Sequence, residues 1–214
     1  MLKAIVEIDR LTSVSPEPHG VAVRGKDVWI SSRATRKIDV MERDSWKKVG
    51  EIDPPGMPWG LTFGGGALVM TCGEGDDDNR RIHRYVPHEG FDRHVVACPE
   101  DTGSHLALYG GRVLLGQWYN KKLLLLDADG GVARAYDVPH GIGGVAVIDD
   151  MACVLGTDDE DHGDYWVSRI DLRSGASDDL ATVPFHARGL SWDGSRFWTN
   201  YREGDRTVTF TLPG

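Results

Sequence analysis

The stretch Pro18-His19-Gly20-Val21-Ala22-Val23 decides the fold, because the chain repeats its pattern four more times. The later copies are Pro58-Trp59-Gly60-Leu61-Thr62-Phe63, Gly103-Ser104-His105-Leu106-Ala107-Leu108, Ile142-Gly143-Gly144-Val145-Ala146-Val147 and Ala187-Arg188-Gly189-Leu190-Ser191-Trp192. Aligned on Gly20, Gly60, His105, Gly144 and Gly189, the copies lie 40, 45, 39 and 45 positions apart. A period of about 40 residues with several short strands in each unit is typical of a β-propeller. We therefore predict an all-β fold, a five-bladed β-propeller of four-stranded antiparallel blades, with each copy as the innermost strand of one blade.

Short strands and tight turns place the blades along the chain. The predicted blades span about 20–53, 60–98, 105–138, 144–183 and 189–212, within a single domain that covers residues 1–214. The last blade has only three candidate strands of its own. Residues 3–8 alternate like a strand, so we predict that they complete this blade and close the ring. In the inner strands we expect small residues such as Ala22 and Ala107 to face the crowded axis, while the larger aliphatic residues wedge between blades.

Composition and charge limit the partners of the protein. The 214 residues carry a net charge of -9, which disfavours nucleic acids and anionic membrane surfaces because both require a basic patch. The sequence has neither a signal-peptide pattern nor an apolar run of membrane-spanning length. Its three cysteines, Cys72, Cys98 and Cys153, are an odd number without metal-type spacing, and we expect reduced thiols. These features indicate a cytoplasmic protein, and they leave the oligomeric state open and identify no partner.

Polar residues gather in the loops of one predicted face. The loops before each inner strand and after each second strand share a face, because those two strands are antiparallel. Imidazoles and carboxylates that converge there suit metal coordination or general acid–base chemistry. The candidate catalytic residues are His19, His105, His186 and Arg188, the candidate metal ligands are Glu17, Glu74 and Asp158, and the candidate substrate-binding residues are Arg33, Trp59, Gln117, Trp118 and Asn200. Two acidic runs of this face, Asp76-Asp77-Asp78 and Asp158-Asp159-Glu160-Asp161, are expected to be solvated loop charge.

The repeat also resembles a known group of propellers. Pro18-His19-Gly20-Val21-Ala22-Val23 followed by Val28-Trp29-Ile30, with outer-strand endings such as Thr182-Val183-Pro184, is similar to the streptogramin B lyase and senescence-marker/gluconolactonase propellers and to related NHL-like repeats. In the lyase family a magnesium ion is held by glutamates on this face, and a nearby histidine transfers the proton. Glu17-Pro18-His19 matches that Glu-x-His spacing.

The resemblance departs from the lyase pattern at one position. Ser31-Ser32-Arg33 stands where the second glutamate would end the tryptophan strand, so Glu74 or Asp158 would have to replace that glutamate. The gluconolactonase pattern implies a carboxylate, two asparagines and an aspartate on the axis. The available candidates for those four residues are Glu17, Asn120, Asn200 and Asp158.

Two functional hypotheses follow. The first is a divalent-metal-assisted enzyme, with Mg or Ca, that acts on a small molecule by lyase or lactone/ester-hydrolase chemistry at the axial mouth. In it His19 moves the proton, with His105 or His186 as alternatives, Arg188 orients an anionic group, and Trp59 and Trp118 wall the pocket. The alternative is a non-catalytic propeller that binds a small molecule or a peptide on the same face.

Overall fold

Five antiparallel sheets form a ring in the computed structural model, which describes residues 2–74 and 79–214 and confirms the five-bladed β-propeller. The first strand along the chain is β1 (Val6–Thr12). The first blade contains β2 (Pro18–Arg24), β3 (Asp27–Ser32), β4 (Ile38–Glu42) and β5 (Lys48–Ile52). The second contains β6 (Met57–Gly64), β7 (Ala67–Gly73), β8 (Arg81–Val86) and the short β9 (Gly90–Phe91) and β10 (Val96–Ala97), both of which pair with β8.

The remaining blades follow the same order. The third contains β11 (His105–Tyr109), β12 (Arg112–Gln117), β13 (Lys122–Leu126) and β14 (Val132–Asp137). The fourth contains β15 (Gly141–Ile148), β16 (Met151–Thr157), β17 (Tyr165–Asp171) and β18 (Ser177–Val183). The fifth contains β19 (Ala187–Trp192), β20 (Phe197–Tyr201), β21 (Arg206–Thr211) and β1. A single 3₁₀ turn, Pro99–Asp101, is the only helical element in the described residues, where no helix is long and apolar enough to cross a membrane.

The N-terminal strand closes the ring, as predicted, but over a different range. β1 pairs antiparallel with β21 from Val6 opposite Thr211 to Thr12 opposite Arg206, rather than over residues 3–8. The preceding residues pair with the fourth blade, where the Ile5 N–H donates to the Thr182 carbonyl (2.9 Å) and the Thr182 N–H donates to the Lys3 carbonyl (3.0 Å). The N-terminus therefore ties two neighbouring blades together, and the unpaired edge of each is covered.

The side chains of the inner strands pack between blades on both faces. Ala22 of the first blade lies in one cluster with Leu61 and Met70 of the second, and Ala146 of the fourth lies in another with Leu190 of the fifth. The expectation that the small residues face the axis was therefore wrong. Each small residue instead makes room for an aliphatic side chain of the next blade, because side chains leave a strand perpendicular to its sheet while the sheet edge points at the axis.

Buried polar side chains fasten adjacent inner strands near the axis. The Ser31 hydroxyl accepts from the Gly20 N–H (2.7 Å) and donates to the Trp59 carbonyl of the second blade (2.9 Å). Thr71 makes the equivalent link from the second blade to the third. The Asn200 amide donates to the His19 carbonyl (3.1 Å) and so joins the fifth blade to the first.

Candidate functional site

The residue immediately before the aligned position of each repeat lies on the axis. These five residues, His19, Trp59, Ser104, Gly143 and Arg188, all line one cavity of about 330 Å³. The cavity is also lined by Ile142, Trp118 and Tyr119, by Arg33, Arg80 and Arg202, and by residues 100–103, His105 and Glu160. The structure therefore contains a cavity that is lined by equivalent positions of all five blades.

The repeated glycine exists because the inner strands approach too closely for a side chain. A Cβ on Gly20 would lie 2.1 Å from the Trp59 carbonyl oxygen, and one on Gly60 would lie 2.6 Å from the Ser104 carbonyl oxygen. Gly189 also has a positive φ of 69°, which favours glycine. The pairing register shifts at this point in four blades, for example between Pro18 and Val21. Such a bulge turns the residue before the glycine towards the axis.

The third blade is the exception, and it supplies a histidine. β11 pairs with β12 without a register shift, and His105 occupies the position at which the other blades have glycine. Its ring stacks on that of His19 with 5.1 Å between centroids and an angle of 18° between planes. His19 also meets the edge of Trp59 at 4.9 Å. The side chain that the third blade retains thus fills the axis beside His19.

Both imidazoles are neutral at pH 7. His19 and His105 are 2% and 3% exposed, and this burial is the main reason that their pKa values are lowered. The positive charge of Arg188 lowers both pKa values further, and that of His105 falls to about 3. Among the described residues, neither ring nitrogen of His19 has a hydrogen-bond partner. A neutral imidazole offers one donor and one acceptor, so His19 brings unused hydrogen-bonding capacity to the cavity.

Arg188 is the deepest cation of the cavity. Its side chain is 3% exposed, and Nη1 donates to the Tyr165 hydroxyl and to the Ala187 carbonyl, each at 3.0 Å. The guanidinium lies beside Gly143, where a Cβ would be in ordinary van der Waals contact with Nη1 at 3.4 Å. Nη2 lies 2.8 Å from Glu160 Oε2, yet its N–H groups are not aligned with that oxygen and make no hydrogen bond in the described structure. The charge of Arg188 is therefore paired, while Nη2 still has a hydrogen bond to give.

Tryptophan rings form the walls, and guanidinium groups cover them. Arg80 lies 3.6 Å and Arg33 4.9 Å from the centroid of the Trp59 ring, and Arg188 lies 5.1 Å from that of Trp118. These contacts have the geometry of cation–π interactions, which hold a planar cation against the face of a ring. The carboxylates of the cavity lie further out, on the exposed rim at Glu100, Asp101 and Glu160. The floor is consequently cationic, although the chain as a whole is acidic.

Six of the twelve predicted site residues meet in this cavity, and six do not. The structure brings together His19, His105, Arg188, Trp59, Trp118 and Arg33. The cavity lining does not include Gln117, Asn200, His186, Glu17, Glu74 or Asp158. The cavity also includes Arg80, Arg202, Glu160 and Tyr119, which are not among the predicted site residues. Ser104 and Gly143 are not among them either, but the repeat alignment marks their positions.

The residues outside the cavity have other partners. The Gln117 amide donates to the carbonyls of Pro99 and Thr102 and holds that loop, and Asn200 closes the ring. His186 pairs with Glu203 at 2.6 Å. The Asp158 carboxylate pairs with Lys121 at 2.7 Å and with His140 at 2.9 Å.

The predicted metal ligands do not form a ligand set. In the part of the chain that the structure describes, no group of three or more histidines, cysteines, aspartates or glutamates is arranged to hold a metal ion. Glu17 has a φ of 50°, Glu74 is exposed, and neither lines the cavity. Hard divalent cations require several converging oxygen ligands, which Glu17, Glu74 and Asp158 do not supply. The run Asp76-Asp77-Asp78 lies outside the described residues.

Comparisons with known proteins agree on the fold. No protein-family model and no curated protein matches this sequence. Among solved structures, a glutaminyl cyclase from Myxococcus xanthus is similar over 98% of both chains, with a TM-score of 0.73 and 12% identity. A virginiamycin B lyase from Staphylococcus aureus is similar over 95% of this chain and 69% of its own, with a TM-score of 0.56 and 15% identity.

A third solved structure belongs to a different class of enzyme. An aldose sugar dehydrogenase from Streptomyces coelicolor, in its PQQ-bound form, is similar over 99% of this chain and 82% of its own, with a TM-score of 0.58 and 15% identity. The predicted likeness to lyase-type propellers is thus confirmed as a likeness of fold. Identities this low show the fold alone, and the neighbours include enzymes of several kinds.

Proposed function

We propose that this protein binds a small organic anion in the axial cavity and transfers a proton on it, as an enzyme of the lyase type. The observation that carries the proposal is the buried Arg188 guanidinium in one cavity with two neutral imidazoles, His19 and His105. A fixed cation and a neutral base are the two groups that proton removal next to a carboxylate requires. The virginiamycin B lyase among the structural neighbours is consistent with this class of reaction.

The anionic character of the ligand follows from the buried donors. A buried cation is stable only with an opposite charge and aligned hydrogen-bond acceptors. Arg188 has Glu160 as its charge partner, but Nη2 has no aligned acceptor among the residues that the structure describes. A ligand carboxylate with an oxygen in line with Nη2 supplies both the opposite charge and the aligned acceptor. Carboxylates also match the guanidinium group in geometry. A neutral ligand would leave the donor unused.

The walls and the volume define the rest of the ligand. Trp59, Trp118 and the exposed Tyr119 offer aromatic surface beside the cationic floor. A volume of about 330 Å³ is at the lower end of small-molecule sites, which range over about 300–1,000 Å³. We therefore propose a compact ligand with one planar apolar part and one carboxylate.

The imidazoles supply the base. His19 or His105 accepts the proton from the carbon next to the carboxylate, and the electron pair left behind forms a double bond as the group on the neighbouring carbon leaves. The imidazolium then returns the proton to that leaving group.

The proposal is tested first by binding. Benzoate and benzamide have the same shape, and only benzoate is charged, so ligand-observed NMR of the two isolates the role of charge. We expect benzoate to bind and benzamide to bind at least tenfold more weakly. Arg188→Met should weaken benzoate binding by about ten- to a hundredfold, because a hydrogen bond to a charged group contributes about 1.5–3 kcal/mol. Arg112→Met, at an exposed arginine outside the cavity, is the control and should leave binding unchanged.

Turnover is tested with 3-hydroxy-3-phenylpropionate, whose dehydration gives cinnamate and a rise in ultraviolet absorbance. In D₂O, exchange of the protons next to the carboxylate reports the first step alone. His19→Asn and His105→Asn should both keep benzoate binding, and the variant that lacks the base should lose exchange. Equal binding of benzoate and benzamide would refute the organic-anion site. Binding of carboxylates without exchange of any tested carbon acid would instead favour the non-catalytic binding propeller.

A further inference from the structure

The anion-binding position of the cavity already holds a carboxylate of the protein itself. Glu160, in the loop between β16 and β17, places Oε2 2.8 Å from Arg188 Nη2 and 4.0 Å from Arg202 Nη1. Its side chain is 41% exposed, whereas that of Arg188 is 3% exposed. The carboxylate thus reaches inward from the rim to a cation that solvent does not reach.

The contact between Glu160 and Arg188 is close but poorly aligned. The 2.8 Å separation pairs the charge of the guanidinium, yet Nη2 makes no hydrogen bond to any residue in the ranges 2–74 and 79–214. An ion pair that is half open to water contributes little by itself, because solvent screens it and ordering the side chains opposes it. A ligand carboxylate in line with Nη2 would gain the hydrogen bond that Glu160 does not make. The internal carboxylate is therefore an exchangeable occupant.

The backbone of Glu160 is held while its side chain has room to leave. The Tyr165 hydroxyl donates to the Glu160 carbonyl (2.9 Å) and accepts from Arg188 Nη1 (3.0 Å). This tyrosine fixes the distance between the loop and the guanidinium. Rotation about the side-chain bonds of Glu160 can carry its carboxylate into solvent without moving the loop, since exposed side chains change rotamer readily.

From these contacts we infer that Glu160 occupies the anion subsite of the free protein and that the carboxylate of the ligand takes its place. This inference rests on the proposed function and narrows it. Replacing one carboxylate by another keeps the charge around Arg188 constant, so the preferred ligand is a monocarboxylate. A phosphate monoester would bring a second negative charge to the same place. Glu160 then acts as a competitor within the molecule that sets the affinity of the site.

The test compares two glutamates that pair with arginines, one inside and one outside the cavity. Glu160→Gln and Glu160→Ala remove the internal carboxylate, whereas Glu7→Gln removes a carboxylate that pairs with Arg10 Nη2 at 2.7 Å outside the cavity. We expect both Glu160 variants to bind benzoate about two- to fivefold more tightly than the wild type, because an ion pair of this exposure contributes up to about 1 kcal/mol. Glu7→Gln should leave the affinity unchanged. Phenyl phosphate should bind more weakly than benzoate to the wild type.

A structure with bound benzoate gives a second readout. The benzoate carboxylate should lie at Arg188 Nη2, with the Glu160 side chain turned into solvent. The inference is overturned if wild-type protein binds benzoate while the Glu160 variants, folded by circular dichroism, bind it equally or more weakly, or if Glu160 stays on Arg188 with benzoate bound. In that event the organic-anion site itself still stands. If no variant and no wild-type protein binds benzoate, the proposed function fails, and this inference fails with it.

Discussion

Removal of the Ser31 hydroxyl should destabilise the protein at the point where the cavity floor is assembled. This buried hydroxyl accepts from the Gly20 N–H (2.7 Å) and donates to the Trp59 carbonyl (2.9 Å). Ser31→Ala leaves both groups buried without that partner. Each of the two orphaned groups costs about 1–3 kcal/mol, so we expect the free energy of unfolding to fall by about 2–6 kcal/mol. For a domain of this size the melting temperature should fall by about 4–24 °C.

Thr71→Val is the matched comparison in the next blade. Thr71 Oγ1 accepts from the Gly60 N–H (3.0 Å) and donates to the Ser104 carbonyl (2.7 Å), but the Gly60 N–H also donates directly to that carbonyl (2.8 Å). Both backbone groups keep a partner in the valine variant, and we expect a loss of about 0.5–1.5 kcal/mol. Urea unfolding followed by circular dichroism measures the free energy of unfolding of both variants, and we expect its dependence on urea concentration to be the same in each. The reasoning is refuted if Ser31→Ala is no more destabilising than Thr71→Val.

Three further outcomes are expected. The pKa of His105 is about 3 in the folded chain and about 6.5 when unfolded, so the unfolded chain binds more protons below pH 6.5. The free energy of unfolding should therefore fall by about 2 kcal/mol between pH 7 and pH 5. Urea titrations at the two pH values should show that His105→Asn removes this part of the pH dependence. Gly143→Ala places a methyl group 3.4 Å from Arg188 Nη1, an ordinary van der Waals distance, so benzoate binding in the NMR assay and the melting temperature should both change little. Deletion of residues 2–12 exposes the edge of β21, and size-exclusion chromatography should show association or loss of the folded monomer; an unchanged monomer would contradict the closure by β1.

The fold could be predicted from the sequence because one steric requirement recurs. In four blades the inner strands approach their neighbours so closely near the axis that they leave no space for a Cβ. The residues at these positions are Gly20, Gly60, Gly144 and Gly189. The same alignment marked the ring of cavity residues one position earlier. His19, Trp59 and Arg188 occupy equivalent positions of three repeats, and the backbone of each blade brings its position to the axis. The repeat alignment alone therefore predicts that these three side chains converge.

The three predicted metal ligands form no ligand set in the described residues, because the conformation of their loops decides where their side chains point. Glu17 and His19 have the spacing that puts two side chains on one face of a strand. However, Glu17 has a φ of 50° and precedes β2, so the alternation of a strand does not reach it. Asn200 was predicted to bind substrate, but the structure uses it to bind the backbone of the first blade. Neither outcome could be deduced from residue type, because each depends on a local dihedral angle or on a contact 180 or more positions away.

The five equivalent positions on the axis carry unequal side chains, and this inequality determines where a ligand can lie. Blades one, two and five contribute the large groups His19, Trp59 and Arg188, while blades three and four contribute only Ser104 and Gly143. The third blade adds His105 at the next position, where its ring stacks on that of His19. Arg188 lies beside Gly143 and 5.1 Å from the Trp118 ring centroid of the third blade. The symmetric scaffold thus supplies five equivalent positions, and their unequal side chains give the cavity a guanidinium and a pair of stacked imidazoles that the proposed ligand would meet.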